Sequence, residues 1–390
     1  MSVHDPLMFA TGLSAKLASR SRHVCAFLGA GMARACGLPD VADLQTRVLA
    51  DLDSEARTTF AHELERGNLE QALTRLRRIA ALLTGEQTLD GLTAKRAKDL
   101  DAAVCKAIIK ELDVACADLA PVDCFAAWAA RADYRLPLEL FTVNYDLLLE
   151  TALERRRVPY FDGFVGNLRA RFHTELVEGT PGTDGEWVPA FFVRLWKLHG
   201  SVNWAWEDDK QIVRLGHPIT EGRAAAIYPS DTKYEESRRV PFVVLQDRFR
   251  RALHQSETLV IVSGYSFNDH HLNELLFDAA TQRERSEIVA FCYSDIPDVL
   301  VQRATTTPNL QVVSGHEAIL GGVRGEWKPP NVTPPNLWND GQLALRDFRN
   351  LAAYLARSAT REPEGETGLR ELLKGAVAER SADTEDKGDG

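Results

Sequence analysis

The chain has 390 residues, enough to bury a large core as one elaborated domain or two. Hydrophobic residues make up 45% and charged residues 26%, as in ordinary globular proteins, and the formal net charge of −10 argues against non-specific nucleic-acid binding as the main activity. No apolar stretch reaches transmembrane length and the first residues carry no signal-peptide pattern, so a cytoplasmic protein with no membrane and no direct nucleic-acid partner is expected.

In chain order, six short apolar runs read as strands buried on both faces: His23–Leu28, Leu138–Val143, Val193–Leu198, Thr258–Ser263, Glu287–Tyr293 and Asn309–Val313. Helical stretches separate them, which predicts an α/β fold with a parallel sheet and crossover helices. Between the first two runs lies a block of about 41–133 with helical spacing throughout. Leu69, Ala72, Leu73, Leu76 and Ile79 line one face there, with Arg75, Arg77 and Arg78 largely off it. That block is too long for a simple crossover and reads as a helical insertion. Glu178–Trp187, with its glycines and proline, reads as a loop. Prolines at 329–330 and 334–335 end the sheet region, so the chain divides into a main α/β domain over 1–328 and a C-terminal helical extension over 329–380. The extension has helical spacing at Leu343–Ala356 and a shorter segment at Gly368–Ala378. The polar terminus 381–390 is expected to be disordered.

Four motifs sit just beyond predicted strands, where open α/β sheets bind ligands. Gly29-Ala30-Gly31, followed by Gly37-Leu38-Pro39-Asp40, is suited to admit a pyrophosphate at a helix start, although Arg34 occupies the place of the third glycine in G-x-G-x-x-G. Asn144 follows the second run and is free to point into the crevice. Asp146, two residues on, is as well placed to cap the helix Leu147–Leu153 as to touch a ligand. His199 follows the third run. Gly200 beside it permits close approach of a ligand, and Ser201 is placed to orient the ring. The fourth motif, Gly264-Tyr265-Ser266-Phe267, precedes Asp269, a candidate helix N-cap, and offers Ser266 to a ribose or phosphate. His270-His271 lack companions at metal-ligand spacing. None of the six cysteines pairs as C-x-x-C, so no metal site, zinc included, is expected.

In this order along residues 22–313, the four motifs resemble those of the sirtuin-like superfamily. The resemblance implies a Rossmann-like sheet holding NAD, with Gly29, Ala30, Gly31, Pro39, Asp40, Gly264 and Ser266 as binding positions. His199 and Asn144 would lie at the nicotinamide ribose. The departures are informative: no cysteine lies between Cys124 and Cys292, so the four-cysteine zinc module of protein-deacylating sirtuins is missing. Val143 stands where those enzymes carry glutamine, and Ala33 where they carry serine. What remains is similar to zinc-free bacterial sirtuin-like NADases of antiphage defence.

The chemistry agrees with that resemblance. Cleavage of the nicotinamide–ribose bond passes through an oxocarbenium-like state, and its leaving group is already cationic, so no general acid is needed. A base is needed, for which His199 has the right titration range, and an amide such as Asn144 to hold water or ribose hydroxyls. The expected activity is therefore an NAD glycohydrolase, with Asn144, His199 and Asp146 as catalytic positions and NAD as substrate. A zinc-free deacylase or ADP-ribosyltransferase, and a non-catalytic NAD or ADP-ribose sensor, are the alternatives. Resemblance to defence proteins encoded in pairs implies a homo-oligomer controlled by a separate partner, a HerA-like ring ATPase first and an Argonaute-type protein second.

Overall fold

A computed structural model describes residues 2–179, 187–207, 211–219, 240–282, 286–331, 334 and 336–358. Its central feature is a ten-stranded sheet. Numbered in chain order, the strands are β1 (Ser2–His4), β2 (His23–Leu28), β3 (Glu139–Thr142), β4 (Tyr160–Phe161), β5 (Val193–Lys197), β6 (Thr258–Ser263), β7 (Glu287–Phe291), β8 (Leu310–Val313), β9 (Glu317–Leu320) and β10 (Val323–Trp327). They lie in the order β1-β10-β9-β8-β7-β6-β2-β3-β5-β4. All six runs expected from the sequence are strands of this sheet, and every pairing among them is parallel. Counted by themselves, those six follow the spatial order 3-2-1-4-5-6, which is that of the Rossmann fold.

Alternation along β2 shows how the layers form. Val24, Ala26 and Leu28 enter one core with the helices Pro6–Ala18, Ala120–Ala129, Leu148–Arg155 and Phe348–Ser358. Cys25 and Phe27 enter the other, with Phe242–Leu253, His270–Gln282 and Asp298–Thr306. Every β2 residue is buried because the sheet is covered on both faces.

Four strands of the sheet were not anticipated. β9 and β10 form a hairpin about Gly321-Gly322, both at positive φ, and this pair turns the sheet edge antiparallel. β1 pairs with β10 from the far end of the chain, and β4 extends the opposite edge. A small antiparallel sheet of Phe164–Val165, Arg169–Phe172, Trp204–Glu207 and Gln211–Leu215 flanks the His199 segment.

The long block after β2 contains the helices Val41–Asp51, Ser54–Leu64, Leu69–Leu82 and Ala94–Glu111 around their own core. Leu69, Ala72, Leu73, Leu76 and Ile79 all point into it. Ala120–Ala129 belongs to the main core instead. The helix near the C-terminus spans Phe348–Ser358, later than its expected span, because a short hairpin (Trp338–Asn339 with Gln342–Leu343) and a 3₁₀ turn precede it. Phe348, Leu351 and Leu355 pack into the same core as β2. The expected helix Gly368–Ala378, the terminus 381–390 and most of the loop Glu178–Trp187 lie outside the described residues.

Candidate active site

The four motif loops leave four adjacent strands, β6, β2, β3 and β5, at their carboxyl ends. The strand order reverses between β2 and β6, which is the topological switch point at which open α/β sheets bind ligands.

Two glycine turns meet there. Gly29 N–H donates to Ser263 O at 3.0 Å, and Gly31 N–H donates to Gly264 O at 2.8 Å. A Cβ on Gly29 would lie 2.5 Å from Gly264 O, and one on Gly31 would lie 2.6 Å from Gly264 Cα. Gly264 itself has φ +67°, and a Cβ there would meet Met32 N at 2.6 Å. The glycines thus let two loops pack backbone to backbone, a demand that comes before any approach of a phosphate. Ala30, at the first position of the short helix Ala30–Ala35, has an N–H with no acceptor among the described residues. That donor at the switch point fits an anionic group of a dinucleotide.

Pro39 and Asp40 start the helical block. Asp40 caps the helix Val41–Asp51 through the amides of Ala42 (3.1 Å) and Asp43 (3.0 Å), and it pairs with Arg34 at 3.0 Å. Pro39 is buried, and Ser266 is exposed.

Asn144 is only 7% exposed, and its Nδ2 donates to Gly29 O at 3.1 Å. Its amide is thereby held against the first glycine turn instead of being loose in the crevice. Asp146 accepts from Leu148 N at 3.0 Å in the turn that leads into the helix Leu148–Arg155, whose N-cap position is Leu147. Burial pushes its carboxyl up to about 6, against the pull of Lys197. The buried Lys197 ammonium donates to the Asp146 carbonyl and to Glu150 (2.9 Å), pinning the loop from the strand that leads to His199.

His199 is 8% exposed. Ser201 does not orient its ring, because the Ser201 hydroxyl donates to Tyr145 O at 3.3 Å. The group facing the ring is Asp269, whose Oδ2 lies 3.5 Å from His199 Nε2. The local sequence marks Asp269 as a helix cap, a role it also fills through His271 N (2.9 Å) and Leu272 N (3.3 Å). Tyr145 carries no such mark. Its hydroxyl donates to Glu70 at the start of the helix Leu69–Leu82, which ties the helical block to the loop carrying Asn144.

Two other features lie away from this crevice. A cleft of about 400 Å³ in the helical block is lined by Glu63, Arg66, Arg75, Arg78, Ile79 and Leu82 among others, and by none of the motif residues. Among the described residues, one group of potential metal ligands has its ligand atoms within 4.8 Å of one another: His23, Cys25 and Glu139, all buried at the amino ends of β2 and β3. There Glu139 already accepts from Arg248 (2.7 and 2.8 Å), Trp196 (2.7 Å) and His23 (3.0 Å). A metal ion would have to displace Arg248, so this is a buried ion-pair cluster.

No curated protein matches the chain closely enough to count as a relative. Residues 138–310, just under half of the chain, match the family model described as the SIR2-like domain. The matched span begins at β3, so it includes the Asn144, His199 and Gly264 motifs and leaves out the glycine turn after β2. Over that span the chain is similar to the SIR2-like domain, which supports the sirtuin-like superfamily and an NAD-related function.

Proposed function

We propose that the protein is an NAD glycohydrolase that cleaves NAD to nicotinamide and ADP-ribose. The observation that carries this reading is the convergence of Asn144, His199 and two interlocked glycine turns at the carboxyl ends of four adjacent strands, at the switch point of a Rossmann-ordered sheet. The Ala30 amide and the turn after β6 receive the dinucleotide. Asn144, fixed by Gly29, orients water or the ribose hydroxyls. His199 takes a proton from the attacking water as its oxygen bonds to the anomeric carbon. The glycosidic electron pair leaves with nicotinamide, which becomes neutral as it departs. The lack of cysteines between Cys124 and Cys292 favours hydrolysis over deacylation, since one wall of an acyl-lysine groove would be missing.

Such an activity would exhaust its host's NAD if unrestrained, which suits a role in antiphage defence and calls for a gate. We therefore extend the proposal to a homo-oligomer controlled by a separate protein, a HerA-like ring ATPase first and an Argonaute-type protein second. The helical block offers the assembly surface.

The test is nicotinamide release from NAD by pure protein, with and without an acyl peptide and with and without the partner. His199→Ala and Asn144→Ala should each lower turnover by about 10²–10⁴-fold while circular dichroism stays unchanged. Near wild-type turnover in a folded variant would remove that residue from the catalytic pair. Light scattering showing a strict monomer, fully active alone, would refute the gating.

A further inference from the structure

His199 and Asp269 stand on loops that leave β5 and β6, and β2 and β3 lie between those strands in the sheet. Three strand spacings, about 14 Å, separate the two strands. Their side chains nevertheless meet at 3.5 Å, each only about a tenth exposed (10% and 12%). The contact joins two loops whose strands flank β2 and β3.

Asp269 is held from two sides. Its Oδ1 accepts the first amides of the 13-residue helix His270–Gln282, which fixes the carboxylate and leaves Oδ2 directed at the ring. The turn before it is locked by Tyr265, whose hydroxyl donates to Asp269 O (3.2 Å) and Asn273 Oδ1 (3.0 Å), while Asn273 Nδ2 donates to Phe267 O at 2.7 Å. Helix capping requires only one acceptor oxygen, so it does not account for a second oxygen aimed at a buried imidazole. Among the described residues, Tyr145 and Tyr265 also feel the Asp269 charge. Burial raises both phenols, with Glu70 and Asp269 adding to it at Tyr145 and Asp269 at Tyr265, so both stay neutral.

We propose that Asp269 is a positioning residue for His199, accepting from Nε2–H, selecting the tautomer with a bare Nδ1, and so making Nδ1 the atom that receives the proton. The inference rests on the hydrolase reading. The hydrogen bond made by one imidazole nitrogen decides which state the other is in. As Nδ1 takes the proton of the attacking water, the ring becomes an imidazolium whose Nε2–H faces a carboxylate, and the oxygen of that water bonds to the anomeric carbon as nicotinamide leaves. The arrangement parallels the carboxylate–imidazole pairs of serine hydrolases, where loss of the carboxylate charge leaves the wrong tautomer.

The test uses Asp269→Asn, which keeps an acceptor for the helix cap but lacks the charge, and Asp269→Ser as a second capping substitution. With ¹⁵N-histidine labelling and His199→Ala for assignment, wild-type His199 should show a protonated Nε2 and bare Nδ1 where the ring is neutral. Both variants should show a mixture or the opposite tautomer. In steady-state assays kcat should fall at least about 10²-fold while KM for NAD changes less than threefold. An unchanged tautomer, or kcat within twofold of wild type in either folded variant, overturns the proposal. A protein without NAD-cleaving activity would refute the hydrolase reading alone, because the tautomer measurement still decides the part played by Asp269.

Discussion

Glu139→Gln is the most direct probe of what the buried cluster at the amino ends of β2 and β3 does. The side chain has 0% exposure, and four N–H donors from Arg248, Trp196 and His23 converge on its two oxygens. Burial alone would raise its carboxyl, but Arg248 and His23 outweigh burial and bring it from 4.5 down to about 2. That drop corresponds to roughly 3 kcal/mol favouring the ionised form. Breaking a buried pair by removing one partner costs a similar 3–5 kcal/mol, because the remaining charge is left uncompensated. Glutamine keeps the shape but takes the carboxylate charge away from the Arg248 guanidinium, so a loss of about 3 kcal/mol and, for a chain of 390 residues, a fall in Tm of about 4 °C are expected. The sign with pH follows from the lowered value: this contribution is full above about 4.5 and disappears as pH falls from there towards 2. Thermal denaturation of both proteins at pH 7 and at pH 3 measures it, and the gap between their Tm values should narrow at pH 3. NAD turnover well below the Tm should stay within twofold of wild type, since Glu139 and Asn144 are five residues of extended chain apart, about 16 Å. A Tm within 1 °C of wild type at pH 7 would refute the ion-pair account. So would stabilisation of the wild type by added zinc, which would revive His23, Cys25 and Glu139 as a metal site.

Three further outcomes are expected. Gly264→Ala should cost about 1–3 kcal/mol through its φ of +67° alone, and more because Met32 N stands 2.6 Å from the added carbon, so Tm and NAD turnover should fall together; an unperturbed Tm would show that the two turns do not need their close contact. Asp146 and Asp162 are both pushed up to about 6 by burial, so the folded protein binds their protons more readily than the unfolded chain, and stability should rise as pH falls from about 7 towards 4. Asp146→Asn should remove part of that rise, and parallel Tm–pH curves for variant and wild type would contradict it. Elemental analysis should find no stoichiometric zinc, and chelators should leave NAD cleavage intact; one tightly bound zinc per chain would reopen the deacylase reading.

The sequence by itself determined the sheet interior and the places where it ends. Runs such as Val24–Leu28 and Leu259–Val262 are apolar at every position because both sheet faces are covered, a condition that is local in sequence and legible without coordinates. The polar residues and glycines that break those runs mark the carboxyl edge, so Asn144, His199, Gly29 and Gly264 stood out one by one. Short edge strands were not legible: β1 and β10 are far apart in sequence, and neither is buried along its length. Tertiary structure also decided which residues act on one another. That Gly29, Gly31 and Gly264 are glycine for each other's sake depends on β2 and β6 being neighbours, a pairing between segments more than 200 residues apart in the chain. The same holds for Asp269, whose local pattern announces a helix cap; only the folding of β5 and β6 around β2 and β3 brings its second oxygen to His199. Periodicity and capping are written over a few residues, whereas a charge pair across a crevice is set by strand order, which no local stretch of sequence contains.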